Sequence, residues 1–537
     1  MAELITITVD DRPVHVPPRI PLIEALRHWA KVETPAFCYH PDLSVAGNCR
    51  ICLVEVIGPR GAAFGIACHM QTAPGLAVRT QVSSERVRWA RRGVMEALLV
   101  NHPLDCPICD KAGECTLQEH YMTQGRHESR LPDAAGKQYK GGPDHRFVDT
   151  KGQERGGKRI DLGPTIVLDQ ERCIVCTRCV RFMDEVAKDS QLAIAGRGDH
   201  AYITTFPGQP LDHPYDLCTT DICPVGALTG KHFRFQQRVW NLQRVESIDP
   251  SDALGANLYI EYTPERVWRL MPRRNPEVNK SWISNRTRLL YRELAINRLT
   301  AARLQGRDAP LAEGLAAARA ALAAAARVAL VASGHCTLED NAALLALAER
   351  LGAKASVFSG SWLPLGRPDG IALSGDPVAN RAGLRLLGLA DNLDELVRRA
   401  DEFDAVVILH HDLWAADPAK AARLARIPQR IVLAPWLESS VRQATIALGI
   451  RAWAEVRGTM VNCQQRIQVL QACPVLPDPE LEPAWRVLAE LGGLSWTSEL
   501  EAFRFAAQRA PVLAGLSYRS IGPYGRLLPQ PAAAGVA

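Results

Sequence analysis

Four side chains able to grip a soft metal fall within fourteen residues of this 537-residue chain, in the run His102-Pro-Leu-Asp-Cys106-Pro-Ile-Cys109-Asp-Lys-Ala-Gly-Glu-Cys115. Cys106 and Cys109 form a C-x2-C step, which lets two thiolates reach one centre. A structural zinc readily takes a set of three cysteines and one histidine. Related cysteine clusters stand on both sides, however, and three adjacent zinc ribbons would be an unusual way to build a long chain. A four-iron cubane held by His102, Cys106, Cys109 and Cys115 is therefore the stronger expectation.

Upstream, Cys38, Cys49, Cys52 and Cys68 follow the spacing C-x10-C-x2-C-x15-C, with Gly47 free to turn the loop tightly. Plant-type ferredoxins use C-x4-C-x2-C and a distant fourth cysteine, so the first gap here is wider. A 2Fe-2S cluster is still expected over zinc. Downstream come Cys173-Ile-Val-Cys176-Thr-Arg-Cys179 and Cys223-Pro224. Bacterial two-cluster ferredoxins repeat C-x2-C-x2-C-x3-C-P, each run serving both cubanes. Here Met183, His213, Asp216 and Thr219 occupy the other cysteine positions, so one 4Fe-4S cluster on Cys173, Cys176, Cys179 and Cys223 is predicted. Cys218 lies off that spacing and reads as a buried thiol. A further frame, C-x2-C-x3-C-x27-C, falls on Asp249, Asp252, Ala256 and Ser284 and should hold no cluster. Cys336, Cys463 and Cys473 are isolated and read as structural.

The length implies three to five domains, and 47% apolar residues give each an interior. A formal charge of +5 is small for this length and gives no argument for nucleic acid. Fifteen cysteines behind a start without a secretory pattern point to a reducing compartment. No apolar run reaches the length of a membrane span.

The elements that must position the ligands are legible in part. Residues 4 to 9 and 14 to 16 alternate as strands and 20 to 30 carry helical spacing, the hairpin and helix with which a β-grasp ferredoxin begins. A helix over 83 to 100 buries Val87, Val94, Leu98 and Leu99 and turns Arg86, Arg88, Arg91 and Arg92 to solvent or a partner. The stretch 123 to 160 is Gly-rich and charged and reads as a connector. Beyond residue 300, helices at 311 to 326 and 338 to 352 alternate with apolar strands at 327 to 333, 355 to 359, 403 to 410 and 430 to 434, an α/β pattern of the doubly wound kind. No nucleotide-binding glycine motif follows those strands. His410-His411 reads as a polar strand terminus, and the tail from Pro529 as frayed.

On Phe37-Cys38-Tyr39-His40, Val45-Ala46-Gly47-Asn48-Cys49-Arg50-Ile51-Cys52-Leu53-Val54-Glu55, Asn101-His102-Pro103-Leu104-Asp105-Cys106-Pro107-Ile108-Cys109 and Asp221-Ile222-Cys223-Pro224-Val225-Gly226-Ala227-Leu228, the chain resembles the large (75-kDa) iron-sulfur subunits of respiratory NADH:quinone oxidoreductase, complex I. The resemblance implies one 2Fe-2S and two 4Fe-4S clusters on the twelve residues named. It implies an α+β and α/β multidomain chain: a β-grasp 2Fe-2S ferredoxin domain (1–82), a histidine-and-cysteine 4Fe-4S module (83–122), a linker (123–164) and a bacterial-ferredoxin-like 4Fe-4S module (165–239). An eroded molybdopterin-type iron-sulfur domain (240–297) and a degenerate molybdopterin-oxidoreductase-like α/β domain (298–537) complete it. The C-terminal part is shorter than in many relatives, and only Gly458-Thr459-Met460-Val461-Asn462 clearly resembles theirs.

No nucleophile, acid-base pair or flavin site is legible, so the chain reads as a conductor. The resemblance places the flavin on an NADH-oxidising partner subunit, other hydrophilic-arm subunits alongside, and the membrane arm in indirect contact. The whole would be peripheral on the cytoplasmic face of a bacterial inner membrane. The rivals are an iron-sulfur subunit of an NAD-linked hydrogenase or formate dehydrogenase, and a zinc-stapled scaffold.

Overall fold

Alternating ITITV and RPVHV fold as the hairpin β1 (Ile5–Val9) and β2 (Arg12–Val16), turned by Asp10 and Asp11 at φ 50° and 63°. Aspartate tolerates this left-handed backbone, and two such residues give the twist a tight hairpin needs. These elements come from a computed structural model that describes residues 3–126, 157–198, 201–474, 478 and 480–529. The predicted connector therefore lies largely outside the described residues. The chain divides into two units, Met1–Asn241 and Leu242–Ala537.

In the first unit α1 (Leu22–His28) buries Leu22, Ile23, Ala25 and Leu26. Strands β3 (Leu53–Gly58), β4 (Gly61–Ile66) and β5 (Ala77–Arg79) complete a sheet of order β2-β1-β5-β3-β4, in which β1 and β5 pair in parallel. Ile7, Val16, Leu26, Val54 and Val78 share its core with Cys52 and Cys68. Helix α2 (Glu85–Asn101) starts on Ser84, whose hydroxyl accepts from the Val87 N–H. Helix α3 (Thr116–Gln124) follows the run from His102 to Cys115. Contrary to expectation Arg91 is fully buried, on the same face as Val87 and Met95.

The rest of this unit is built from short pieces. Strands β6 (Ile160–Asp161) and β7 (Ile166–Leu168) lead to α4 (Arg178–Phe182). A ribbon of β8 (Leu192–Ala195) and β9 (Tyr202–Thr205), then α5 (Cys218–Ile222) and β10 (Leu228–Gly230), follow. Strand β10 returns to pair with β7.

The second unit opens with the antiparallel sheet β11 (Gln243–Ile248), β12 (Asn257–Thr263) and β13 (Arg266–Pro272), then α6 (Asn285–Leu289). Strands β14 (Ala302–Leu304) and β15 (Arg307–Ala309) and helix α7 (Leu311–Ala324) introduce the main layer. There β16 (Val328–Val331), α8 (Leu338–Leu351), β17 (Ala355–Phe358), β18 (Ala405–Leu409), β19 (Gln429–Ala434) and β20 (Ile446–Gly449) form a sheet of order β15-β14-β20-β19-β18-β16-β17. Strands β16 to β20 are parallel, and VALV and AVVIL are buried on both faces, as the doubly wound reading requires. Among the described residues no helix is long and apolar enough to cross a membrane.

Candidate iron-sulfur centres

The first four cysteines meet beside the β1 to β5 sheet, whose core Cys52 and Cys68 share. The Cys38 sulfur hydrogen-bonds with those of Cys49 and Cys68, and Cys52 with Cys68. Cys38, Cys52 and Cys68 are buried, and Cys49 is half-buried. Gly47 and Arg50, at φ 62° and 60°, curl the loop so that its amides point inward. The N–H groups of Asn48 and Cys49 face Cys38, that of Ile51 faces Cys49, and that of Cys68 faces Cys52. Sharing protons, the set holds Cys38 down at about 2 through Cys49 and then Cys68, while Cys49 is pushed up. Metal binding would displace those protons, since thiolates are the ligands.

His102 ends α2, Cys106 opens the short turn Cys106–Ile108, Cys109 closes it, and Cys115 caps α3. Burial, then the Arg172 guanidinium, pushes His102 down to about 4, so the imidazole is neutral, the form that ligates metal. Its Nδ1 is buried without a hydrogen-bond partner. Burial raises Cys109, and raises Cys115 to about 11. The N–H of Lys111 faces Cys109, and those of Gln118 and Leu117 face Cys115. Gly226 presses against this site: a Cβ there would stand 2.2 Å from the Cys109 sulfur. Cys106 is exposed, and an open cleft of about 450 Å³ runs past it and Cys115.

Cys173, Cys176 and Cys179 wind around a loop in which Val175 and Thr177 take φ 48° and 65°. A β-branched residue at positive φ is strained, and here the strain turns amides onto sulfur. The Val175 N–H reaches Cys173 Sγ at 3.4 Å, that of Arg178 faces Cys176, and that of Val180 faces Cys179. Cys223 closes α5 beside them. Burial pushes Cys173 up to about 12 and Cys176 to about 11, and the Cys223 charge acts on both. Where a second cubane would need thiolates, Met183, Asp216 and Thr219 are fully buried.

The third set adjoins both others. Arg181 donates to the Cys38 carbonyl at 2.6 Å and Asn48 to that of Val175 at 3.3 Å. On the other side the Thr116 N–H donates to the Pro224 carbonyl at 3.0 Å. Among the described residues no three His, Cys, Asp or Glu side chains are grouped to hold a metal ion.

Elsewhere Cys218, Cys336 and Cys473 are buried and Cys463 is exposed. The empty frame in the second unit is filled by hydrogen bonds. Asp249 accepts from Thr287 Oγ1 at 2.6 Å, Asp252 from the N–H groups of Leu254, Ser374 and Gly375, and Ser284 caps α6. The His410-His411 pair does follow the end of β18, as a polar strand terminus, but His411 is buried there. With His335, missed by sequence reasoning, the pair forms a packed trio with ring centroids 6.3 and 5.6 Å from His335. It lies where strand order reverses between β16 and β18. Burial pushes His410 and His411 down to about 4.

Four family models match the chain. They are the 2Fe-2S iron-sulfur cluster binding domain over residues 2–83 and the NADH-ubiquinone oxidoreductase-G iron-sulfur binding region over 91–130. The others are the NADH-quinone oxidoreductase subunit 3, ferredoxin-like domain over 163–229, and the NADH-ubiquinone oxidoreductase NDSU1/NuoG-like, 4Fe-4S domain over 242–292. The last matched stretch contains no cysteine. The mitochondrial NADH dehydrogenase [ubiquinone] iron-sulfur protein 1 of Solanum tuberosum is 41% identical over 307 residues, 57% of this chain and 38% of that protein. The NADH-ubiquinone oxidoreductase 75 kDa subunit of Reclinomonas americana is 39% identical over 55% of this chain and 39% of its own length. The chain thus spans about two fifths of the length of these relatives. A solved chain of an NAD+-reducing [NiFe]-hydrogenase aligns at 27% identity and a TM-score of 0.34, covering 44% of this chain and 91% of that one. By its family matches the chain is a mixed α/β multidomain protein with a 2Fe-2S-type domain and ferredoxin-like 4Fe-4S domains.

Proposed function

As a relative, through its N-terminal part, of the large iron-sulfur subunit of NADH:quinone oxidoreductase, the chain is, we propose, an electron-transfer subunit of such a complex. Electrons would come from the flavin of a partner subunit and leave towards quinone through one 2Fe-2S and two 4Fe-4S clusters. When bound, such clusters each accept and release single electrons, the unit in which a flavin divides a hydride's pair. The observation that carries this reading is a build common to three sites: cysteines, most of them buried, with nearby amide N–H groups facing their sulfurs. Amides so placed stabilise anionic sulfur and set its potential.

Cys38, Cys49, Cys52 and Cys68 would hold the two-iron cluster on a β-grasp domain. His102, Cys106, Cys109 and Cys115, and Cys173, Cys176, Cys179 and Cys223, would hold the cubanes. The six-part division of the chain, and a second unit descended from a molybdopterin-oxidoreductase domain, belong to the same reading. So do a flavin-bearing NADH-oxidising neighbour, other hydrophilic-arm neighbours, and a peripheral place on the cytoplasmic face of a bacterial inner membrane. A catalytic hydrogenase or formate dehydrogenase chain would need further metal-ligating thiols, and those available stand apart. Cys336 and Cys473 belong to different cores, and Cys463 is exposed.

The test is metal analysis of anaerobically purified protein with low-temperature EPR after reduction. About ten irons with matching acid-labile sulfide are expected, two plus four plus four. A colourless protein with zinc in place of iron would return the chain to a stapled scaffold.

A further inference from the structure

One cation is common to the first and third thiol sets. Arg178 lies within Cys176-Thr177-Arg178-Cys179 and opens α4, yet its guanidinium leaves its own loop. Nη2 donates to the Tyr39 carbonyl at 2.6 Å and to that of Ala36 at 3.5 Å, on the two sides of Cys38. Nη1 donates to the Ile222 carbonyl at 3.1 Å, one residue before Cys223. The loops carrying ligands of two separate sets are thus tied to one side chain.

Its electrostatic surroundings are unusual. Burial acts on it first and pushes it down, and the groups that then hold it up are Cys176 and Cys223 of one set and Cys38 and Cys49 of the other. Its partners among the described residues are backbone carbonyls, and its Nε–H is buried without an acceptor. A buried guanidinium without a counter-ion is costly, and carbonyl dipoles meet only part of that cost. Clusters held by four thiolates carry net negative charge, which grows by one on reduction. A fixed cation beside two of them supplies what each lacks.

We propose that Arg178 is a counter-charge shared by the Cys38 and Cys173 centres, raising the reduction potentials of both together and so keeping the two matched for electron exchange. The inference rests on the electron-transfer reading of these two sets. Arg178 ligates no iron; it acts through the field it places on both sulfur sets and the loop positions it fixes.

The test is an anaerobic redox titration of the full cluster-loaded chain, followed by low-temperature EPR, for wild type, Arg178→Gln and Arg178→Lys. Gln is expected to move both midpoints to lower potential, and Lys, which keeps the charge, to leave them nearer wild type. A shift in one centre only, no shift in either, or an equal shift with Lys overturns the proposal. If Gln cannot retain its clusters, iron and signals are compared with the Lys variant. Loss of both centres in Gln with both kept in Lys supports the shared charge, and loss of one alone overturns it. A wild-type chain without iron and sulfide would instead sink the electron-transfer reading itself.

Discussion

His102 ends helix α2 in a setting that strips it of charge, and this makes it the most revealing single residue among the proposed ligand sets. Its imidazole is buried, neutral and unpartnered at Nδ1. His102→Ala should remove the signal of the second centre and about four of ten irons, leaving the Cys38 centre intact. An unchanged EPR spectrum would show the ligand assignment to be wrong. Gly226 offers an independent check, because it ligates nothing. A Cβ there meets Cys109 Sγ at 2.2 Å, and the next nearest atom, Lys111 Cβ, stands at 3.2 Å. Gly226→Ala is expected to lose the same centre as His102→Ala, read as the same missing EPR signal with the other two retained. The proposed ligand sets can be drawn from the sequence because cysteine spacing is written along the chain. Gly226 cannot, because its reason for being glycine is a sulfur far away in sequence.

At the scale of elements, α2 shows where periodicity fails. Four arginines on one helix suggest a solvated face, and Arg86 is indeed exposed. Arg91, however, lies four residues from Val87 and four from Met95, inside the buried stripe. It donates to the Leu53 carbonyl at 3.0 and 2.8 Å through Nε and Nη2, and to Gln81 Oε1 at 2.6 Å. The acceptors come from the start of β3 and the loop before the helix, so no local pattern announces them. Arg91→Met keeps the volume but leaves those acceptors without donors, which should cost about 2–4 kcal/mol. Urea unfolding of wild type and variant measures this, and a loss within about 0.5 kcal/mol would mean that the exposed arginines, not this one, dock the helix. The strands of the second unit were legible for the opposite reason: a parallel strand covered on both faces reads as an unbroken apolar run, as in AVVIL of β18.

Across the whole molecule, polar groups buried in the second unit tie its stability to pH. Glu438 is pushed up to about 8, first by burial and then by the Asp412 and Glu293 carboxylates, and burial pushes Glu339 up to about 7. A raised carboxyl contributes stability that is complete below its unfolded value and is lost as pH rises through the folded one. His410 and His411, pushed down to about 4 by burial, work the other way: their contribution is complete above about 6.5 and is lost as pH falls towards 4. Between about pH 4.5 and 6.5 the two trends oppose each other, and from about 6.5 to 8 only the carboxyl trend remains. Burial pushes His335 well below its usual range too, so the histidine trend prevails in the first window and stability should fall only through the second. Glu438→Gln, which cannot ionise, should flatten that fall. Hydrogen exchange of peptides spanning residues 405–411 and 429–438 in the full chain localises the effect to the ends of β18 and β19. Parallel losses of protection in wild type and variant between pH 6.5 and 8 would remove Glu438 as the cause. That dependence follows from groups apart in sequence: the pairing of β18 with β19 brings Glu438 beside His410, and the reversal of strand order between β16 and β18 brings His335 to the same place.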